Sequence, residues 1–148
     1  MPPETDLLQE FEAEYEEASV GQRFGNYIID LVSFYILIIG GGALVVMTTQ
    51  SDSLIRILDS IPSILDRLLT LIVFGLYVLI IEGITKGRTL GKIITGTRAI
   101  RDDGAAFNWG DAFGRGFSRM VPFEPFSGFS GYPWHDKWTN TRVVKVKK

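Results

Sequence analysis

Four polar residues open the first long apolar run of this chain: Arg23, Asn26, Asp30 and Ser33. Their spacings of three, four and three place them on one stripe of a helix. A carboxylate inside an apolar helix costs about 2.5–3.5 kcal/mol on insertion scales, so Asp30 has to face protein or water. Such a group can bind a proton or a monovalent cation, or it can staple helices together, and both readings stand at this point. A second acid, Glu82, lies one turn before Lys86 near the end of another apolar run. By helical rise Asp30 is about 10 Å along the axis from Arg23, and Glu82 about 6 Å from Lys86. With those two helix ends on one side, Arg23, Asn26, Asp30, Glu82 and Lys86 are expected to form one cluster. Two like charges in such a site push one pKa upward, which suits proton exchange and a static network equally.

Other chemistries find little support. His135 and Asp136 suggest a general-base pair, but adjacent residues rarely face each other and no nucleophile with a third partner accompanies them. A membrane-bound hydrolase would need such a nucleophile or a metal, so no enzyme is expected and Asp136 reads as an anchor or cap. The chain has no cysteine and one histidine, which excludes disulfides, thiolate sites and a multi-His metal centre. The glycine-rich basic stretch Gly83–Gly96 lacks the phosphate-loop spacing, because Lys92 is followed by Ile93. It reads instead as a basic turn on lipid headgroups. A net charge of −2 and the lack of any nucleic-acid motif argue against nucleic acid as a partner. No cofactor is expected.

The elements that must hold these residues follow from the segregation of charge along 148 residues. Seven acids and no bases precede Gly21, so residues 1–20 are expected to be an acidic solvated tail; a signal peptide would need a basic start and an apolar run. Residues 21–148 are expected to form one membrane domain. Leu31–Ser51 is free of charge for 21 residues, and spans are expected at about 24–48 and 68–85. Between them Leu54, Ile57, Leu58, Ile61 and Leu65 recur at helical spacing around Pro62, as in a short amphipathic connection at the membrane surface. Twelve of the fifteen Lys and Arg lie at or after Lys86, which places the C-terminal region, and with two spans the N-terminus, in the cytoplasm. There Asp103-Gly104 signals a hairpin after Thr97–Arg101, and Thr141–Lys147 is a further strand candidate. Trp109–Met120 reads as an amphipathic interfacial helix with Phe113 and Phe117 on one face and Arg115 and Arg119 on another. Phe123–Tyr132 reads as irregular, able to enter the bilayer only if shielded by protein. The expected fold is therefore mainly α and integral to a membrane. It has two transmembrane helices, interfacial or re-entrant segments, and a small antiparallel sheet at the cytoplasmic face.

Three blocks now align with a known family. Arg23–Asp30 (RFGNYIID), Gly87–Gly104 (GRTLGKIITGTRAIRDDG) and Trp134–Val144 (WHDKWTNTRVV) resemble, in order, the signature blocks of the RDD family of bacterial integral membrane proteins. On that resemblance the arginine and two aspartates that give the family its name fall on Arg23, Asp30 and Asp136. There are departures: a glutamine position of the family holds Arg88, and Trp109–Gly131 is too charged and broken to supply the third span common in the family. Some members of the family have been linked to sodium/proton antiport, so the resemblance implies an inner-membrane protein with cation or proton transport as one expectation. Two spans cannot enclose a path alone, so that reading needs a homo-oligomer or a membrane partner within the lipid bilayer. In it Asp30 exchanges the ion, Glu82 is the second acid, Arg23 tunes them and Asp136 closes the cytoplasmic entrance. The alternative is a non-enzymatic membrane scaffold or accessory subunit, in which the same charges are structural.

Overall fold

A computed structural model describes residues 15–130 and 133–146; the bulk of the acidic segment expected as a tail, residues 1–14, lies outside the described residues, as do Gly131 and Tyr132. Helix α1 (Val20–Thr49) is followed by a short helix α2 (Asp52–Asp59) and a second long helix α3 (Ser63–Thr85). Then come α4 (Leu90–Thr95), strand β1 (Thr97–Arg101), α5 (Trp109–Arg119), α6 (Glu124–Ser127), a 3-10 turn (Gly128–Ser130), α7 (Trp134–Thr139) and strand β2 (Thr141–Lys145). Both α1 and α3 are long and apolar enough to cross a membrane. Each begins a turn earlier than its apolar run alone indicates. Ser19 starts α1 with a reciprocal capping box to Gln22, and Pro62 precedes α3 at a position where its missing N–H costs nothing.

The long helices meet along a narrow seam in which Phe34, Phe74 and Val78 form the buried cluster, with Tyr27, Leu31 and Tyr77 against it. The rings of Phe34 and Phe74 cross edge-on at 5.3 Å between centroids, and Tyr27 meets Phe74 at 6.1 Å. Beyond the seam α1 is bare: Ile36, Leu37, Ile38, Ile39, Leu44 and Met47 are exposed.

Polarity is inverted relative to a protein built for water. The three buried residues of α1 are Asn26, Asp30 and Phe34, four apart, so the polar stripe points inward. Helix α5 does the same, burying Asp111, Arg115, Ser118 and Arg119 while Phe113 and Phe117 face outward. The two faces expected of this helix exist, but its arginines lie inside the protein.

Helix α5 runs antiparallel along the second half of α3 at close range. A Cβ on Gly75 would lie 2.7 Å from the Gly116 carbonyl oxygen, and one on Gly116 would lie 2.6 Å from Leu79 Cβ. Small residues at both positions let the two backbones approach. Helix α4 packs equally tightly on α1, where a Cβ on Gly91 would lie 2.8 Å from Asn26 Cα.

The sheet departs from the expected hairpin. Strand β1 pairs antiparallel with β2, with Thr97 opposite Lys145 and Arg101 opposite Thr141. A turn does form at Arg101–Gly104, with Gly104 at φ +74°, but no strand follows it. The chain instead runs to Asn108, which caps α5 in a capping box with Asp111. Strand β2 also takes partners from the segment before α1: Glu17 bridges Val144, and the Ala18 N–H donates to the Val143 carbonyl at 2.9 Å. Residues 16–18, expected in the tail, are thus tied to the sheet.

Candidate functional site: a buried charge network

Where α1, α3, α4, α5 and α7 converge, five ionisable side chains are buried together with a threonine. Arg115 is the hub. Its Nε donates to Glu82 Oε2 at 2.8 Å, and its Nη1 donates to Thr141 Oγ1 at 2.6 Å and to Asp136 Oδ1. Lys92 ion-pairs with the other Glu82 oxygen. Asp136 Oδ2 faces Arg23 Nη1 at 3.7 Å, so Asp136 stands between two guanidinium groups from different helices. Arg23 also meets Glu17 at 3.3 Å and donates from Nε to the Ala18 carbonyl at 3.2 Å.

Each partner is placed by local chemistry. Thr89 caps α4 by accepting from the Lys92 N–H at 3.3 Å, and the left-handed Gly96 at φ +69° ends that helix. The cap fixes Lys92 one turn inside α4, with its ammonium against Glu82. Asn140, also left-handed at φ 48°, ends α7 and turns the chain so that Thr141 enters β2 under Arg115. Burial pushes the Lys92 ammonium down to about 8, against the opposing pull of Glu82. For Asp136, burial raises the carboxyl, but its neighbours together, Arg115 foremost, hold the group below its ordinary value. Burial keeps His135 below its ordinary value, so its imidazole is neutral near pH 7. It pairs with Glu124 through Nδ1.

Asp30 has a separate role. Its Oδ1 accepts from the Gly91 N–H at 2.7 Å, at the start of α4, while Oδ2 is buried without a hydrogen bond among the described residues. Asn26, one turn earlier on the same face, contacts the Thr95 and Thr97 hydroxyls at 2.5 and 3.0 Å. Together they clamp α4 onto α1. Ser33 turns its hydroxyl back to the Ile29 carbonyl at 2.7 Å and makes no other hydrogen bond among the described residues.

The structure thus brings Arg23, Glu82 and Asp136 into one network and sets Asp30 and Asn26 of α1 beside it, against α4. It does not bring in Lys86. That residue is exposed, with left-handed backbone at the end of α3, and Lys92 pairs with Glu82 in its place. The expected headgroup turn is therefore different in kind, because its central lysine is buried. The expected competition between Asp30 and Glu82 for a proton is also replaced: Glu82 sits between two cations and Asp30 caps a helix. Arg115 is the residue that sequence reasoning missed. Its signal was present in the four-residue spacing to Arg119 and the glycines around it. It becomes readable once Phe113 and Phe117 are taken as the outward face.

Among the described residues no group of three or more His, Asp or Glu could hold a metal ion. Glu82, Asp136 and Asp30 each already have a cationic or N–H partner, so the arrangement is suited to fixing helices. The family model described as the RDD family matches residues 17–140. No curated protein matches the chain, and no solved structure matches it.

Proposed function

From the premise that this chain belongs to the RDD family, we propose that it is a non-enzymatic membrane scaffold or accessory subunit whose Arg/Asp/Glu network is an architectural lock. One observation carries this reading: the three carboxylates at the convergence of the helices, Glu82, Asp136 and Asp30, are each held by elements other than their own. Glu82 of α3 is held by Lys92 and Arg115, Asp136 of α7 by Arg115 and Arg23, and Asp30 of α1 by the Gly91 N–H. A group that must load and release an ion needs at least one state with weak partners, and Glu82 and Asp136 each stand between two cations.

The inverted polarity of α1 and α5 supports insertion of the domain in a bilayer, with α1 and α3 crossing it. Gly75 is ten residues from the end of α3, about 15 Å by helical rise, or half of a roughly 30 Å hydrocarbon core. Helix α5, which reaches Gly75, would then dip to mid-depth and return through α6 and the 3-10 turn. Such irregular backbone is tolerated at that depth where protein covers it. The basic C-terminal region favours a cytoplasmic position for the sheet and both chain ends. The bare apolar flank of α1 beyond Phe34 offers a surface for lipid, a second copy or a membrane partner.

A second reading keeps monovalent cation/proton exchange at Asp30, because Asp30 Oδ2 is buried with no hydrogen bond. Sealed proteoliposomes with an internal pH dye separate the two. Under the scaffold reading, sodium-dependent flux equals that of empty liposomes, and Arg23→Ala and Asp30→Ala lower detergent stability and oligomer yield. Flux that requires sodium and vanishes in Asp30→Asn would overturn it.

A further inference from the structure

We propose that a cavity between α1, α5, α6 and α7 binds the anionic headgroup of a membrane lipid, with Arg119 as its counter-ion. The cavity holds about 210 Å³, room for a headgroup but less than the 300 Å³ or so at which pockets begin to enclose a drug-sized molecule. Three cations line it, Arg23, Lys92 and Arg119, against one acid, Glu124. Two of the cations are committed, Arg23 to Asp136 and Glu17 and Lys92 to Glu82, while Glu124 is engaged by His135. Arg119 is the exception. It is 6% exposed, its Nε is buried without a partner, and it makes no hydrogen bond or ion pair within contact distance among the described residues; Glu82 and Glu124 reach it only as charges at longer range. A buried guanidinium of this kind is costly unless an oxyanion answers it, and its planar fork suits a phosphate or carboxylate.

The walls select an amphiphile over a soluble anion. Phe24 stands at the cavity's rim with Phe126 and Phe129, and all three are exposed. Their rings form a row, Phe24 to Phe129 at 6.2 Å and Phe126 to Phe129 at 6.4 Å. Phe24 continues the apolar flank of α1, so an acyl chain leaving the cavity would pass over aromatic faces onto that helix. Inorganic phosphate gains nothing from such a rim. The binding itself does not depend on whether the charge network is a lock or a transport site.

The test uses the full chain, delipidated in detergent and titrated with dioleoyl phosphatidylglycerol, dioleoyl phosphatidylcholine or inorganic phosphate. Bound lipid is counted by native mass spectrometry. Wild type is expected to hold one phosphatidylglycerol per chain in preference to phosphatidylcholine, with inorganic phosphate binding far more weakly. Arg119→Gln should weaken phosphatidylglycerol by about tenfold or more, the size of one lost charge-assisted contact, and Arg119→Lys by less. Phe129→Ala should weaken the lipid as well. Equal binding of the two lipids by wild type overturns the proposal without any variant. Wild-type affinity in a folded Arg119→Gln overturns it too, and inorganic phosphate binding as tightly as the lipid would make this a soluble-oxyanion site instead.

Discussion

Arg115→Gln is the sharpest perturbation of the network. The substitution keeps much of the side-chain volume but removes the guanidinium that bonds Glu82, Asp136 and Thr141. Glu82 retains Lys92, and Asp136 retains Arg23 at 3.7 Å, so neither acid is left wholly alone. Two buried carboxylates nevertheless lose their strongest partner. Removing one member of a buried ion pair costs about 3–5 kcal/mol, because the remaining charge stays desolvated. For a chain of 148 residues, about 3–4 °C of melting temperature accompanies each kcal/mol, so a loss of about 10 °C or more is expected. The assay is thermal unfolding of purified protein in detergent, read by intrinsic tryptophan fluorescence and by size-exclusion recovery. Glu82→Gln in the same chain supplies the cycle: if Arg115 and Glu82 act on each other, the double variant should lose less than the two single losses added, by about 0.5–3 kcal/mol. A melting point for Arg115→Gln within about 2 °C of wild type, or strict additivity with Glu82→Gln, would refute the assignment of Arg115 as hub.

Lys86→Ala should leave the melting point unchanged, whereas Lys92→Ala should cost about 3 kcal/mol of stability in the same assay, since only Lys92 faces Glu82. Gly116→Val should abolish folding or cut yield severely by driving Leu79 and the Gly75 carbonyl away, while Gly41→Val, with nothing within 4 Å, should express as wild type. Stability should fall as pH drops from neutral. The unfolded chain takes up a proton on His135 near 6.5 that the folded chain resists, and Asp136, ordinarily near 3.8, is protonated later in the folded state than in the unfolded one. Melting points at pH 7.5, 5.5 and 4 should therefore decline in that order, more steeply at the acid end, and a flat profile would contradict the buried placement of both groups.

Local information in the sequence reached a definite limit. Helical periodicity and length defined α1 and α3 within a few residues, because an apolar run long enough to cross a bilayer needs no partner to be recognised. The spacing of Arg23, Asn26 and Asp30 likewise put them on one face, since that depends only on 3.6 residues per turn. Signature blocks spread along the chain carried the family.

Partner choice was decided only in three dimensions. Lys86 is the lysine one turn from Glu82 in sequence, yet the left-handed cap at the end of α3 turns it outward and the folding back of α4 brings Lys92 in. The Asp-Gly turn promised a hairpin, but β1 gains a longer ladder from β2, forty residues on, than from the short segment leading to the α5 cap. The sequence of α5 separates a Phe113/Phe117 face from an Arg115/Arg119 face but does not say which of the two is hidden. Close packing of Gly116 on Gly75 seals that face of α5 against α3, so there the interior is the polar side and the phenylalanines lie outside. Sequence fixes what each helix face is made of; tertiary packing decides which face is hidden, because desolvation and ion pairing depend on neighbours distant along the chain.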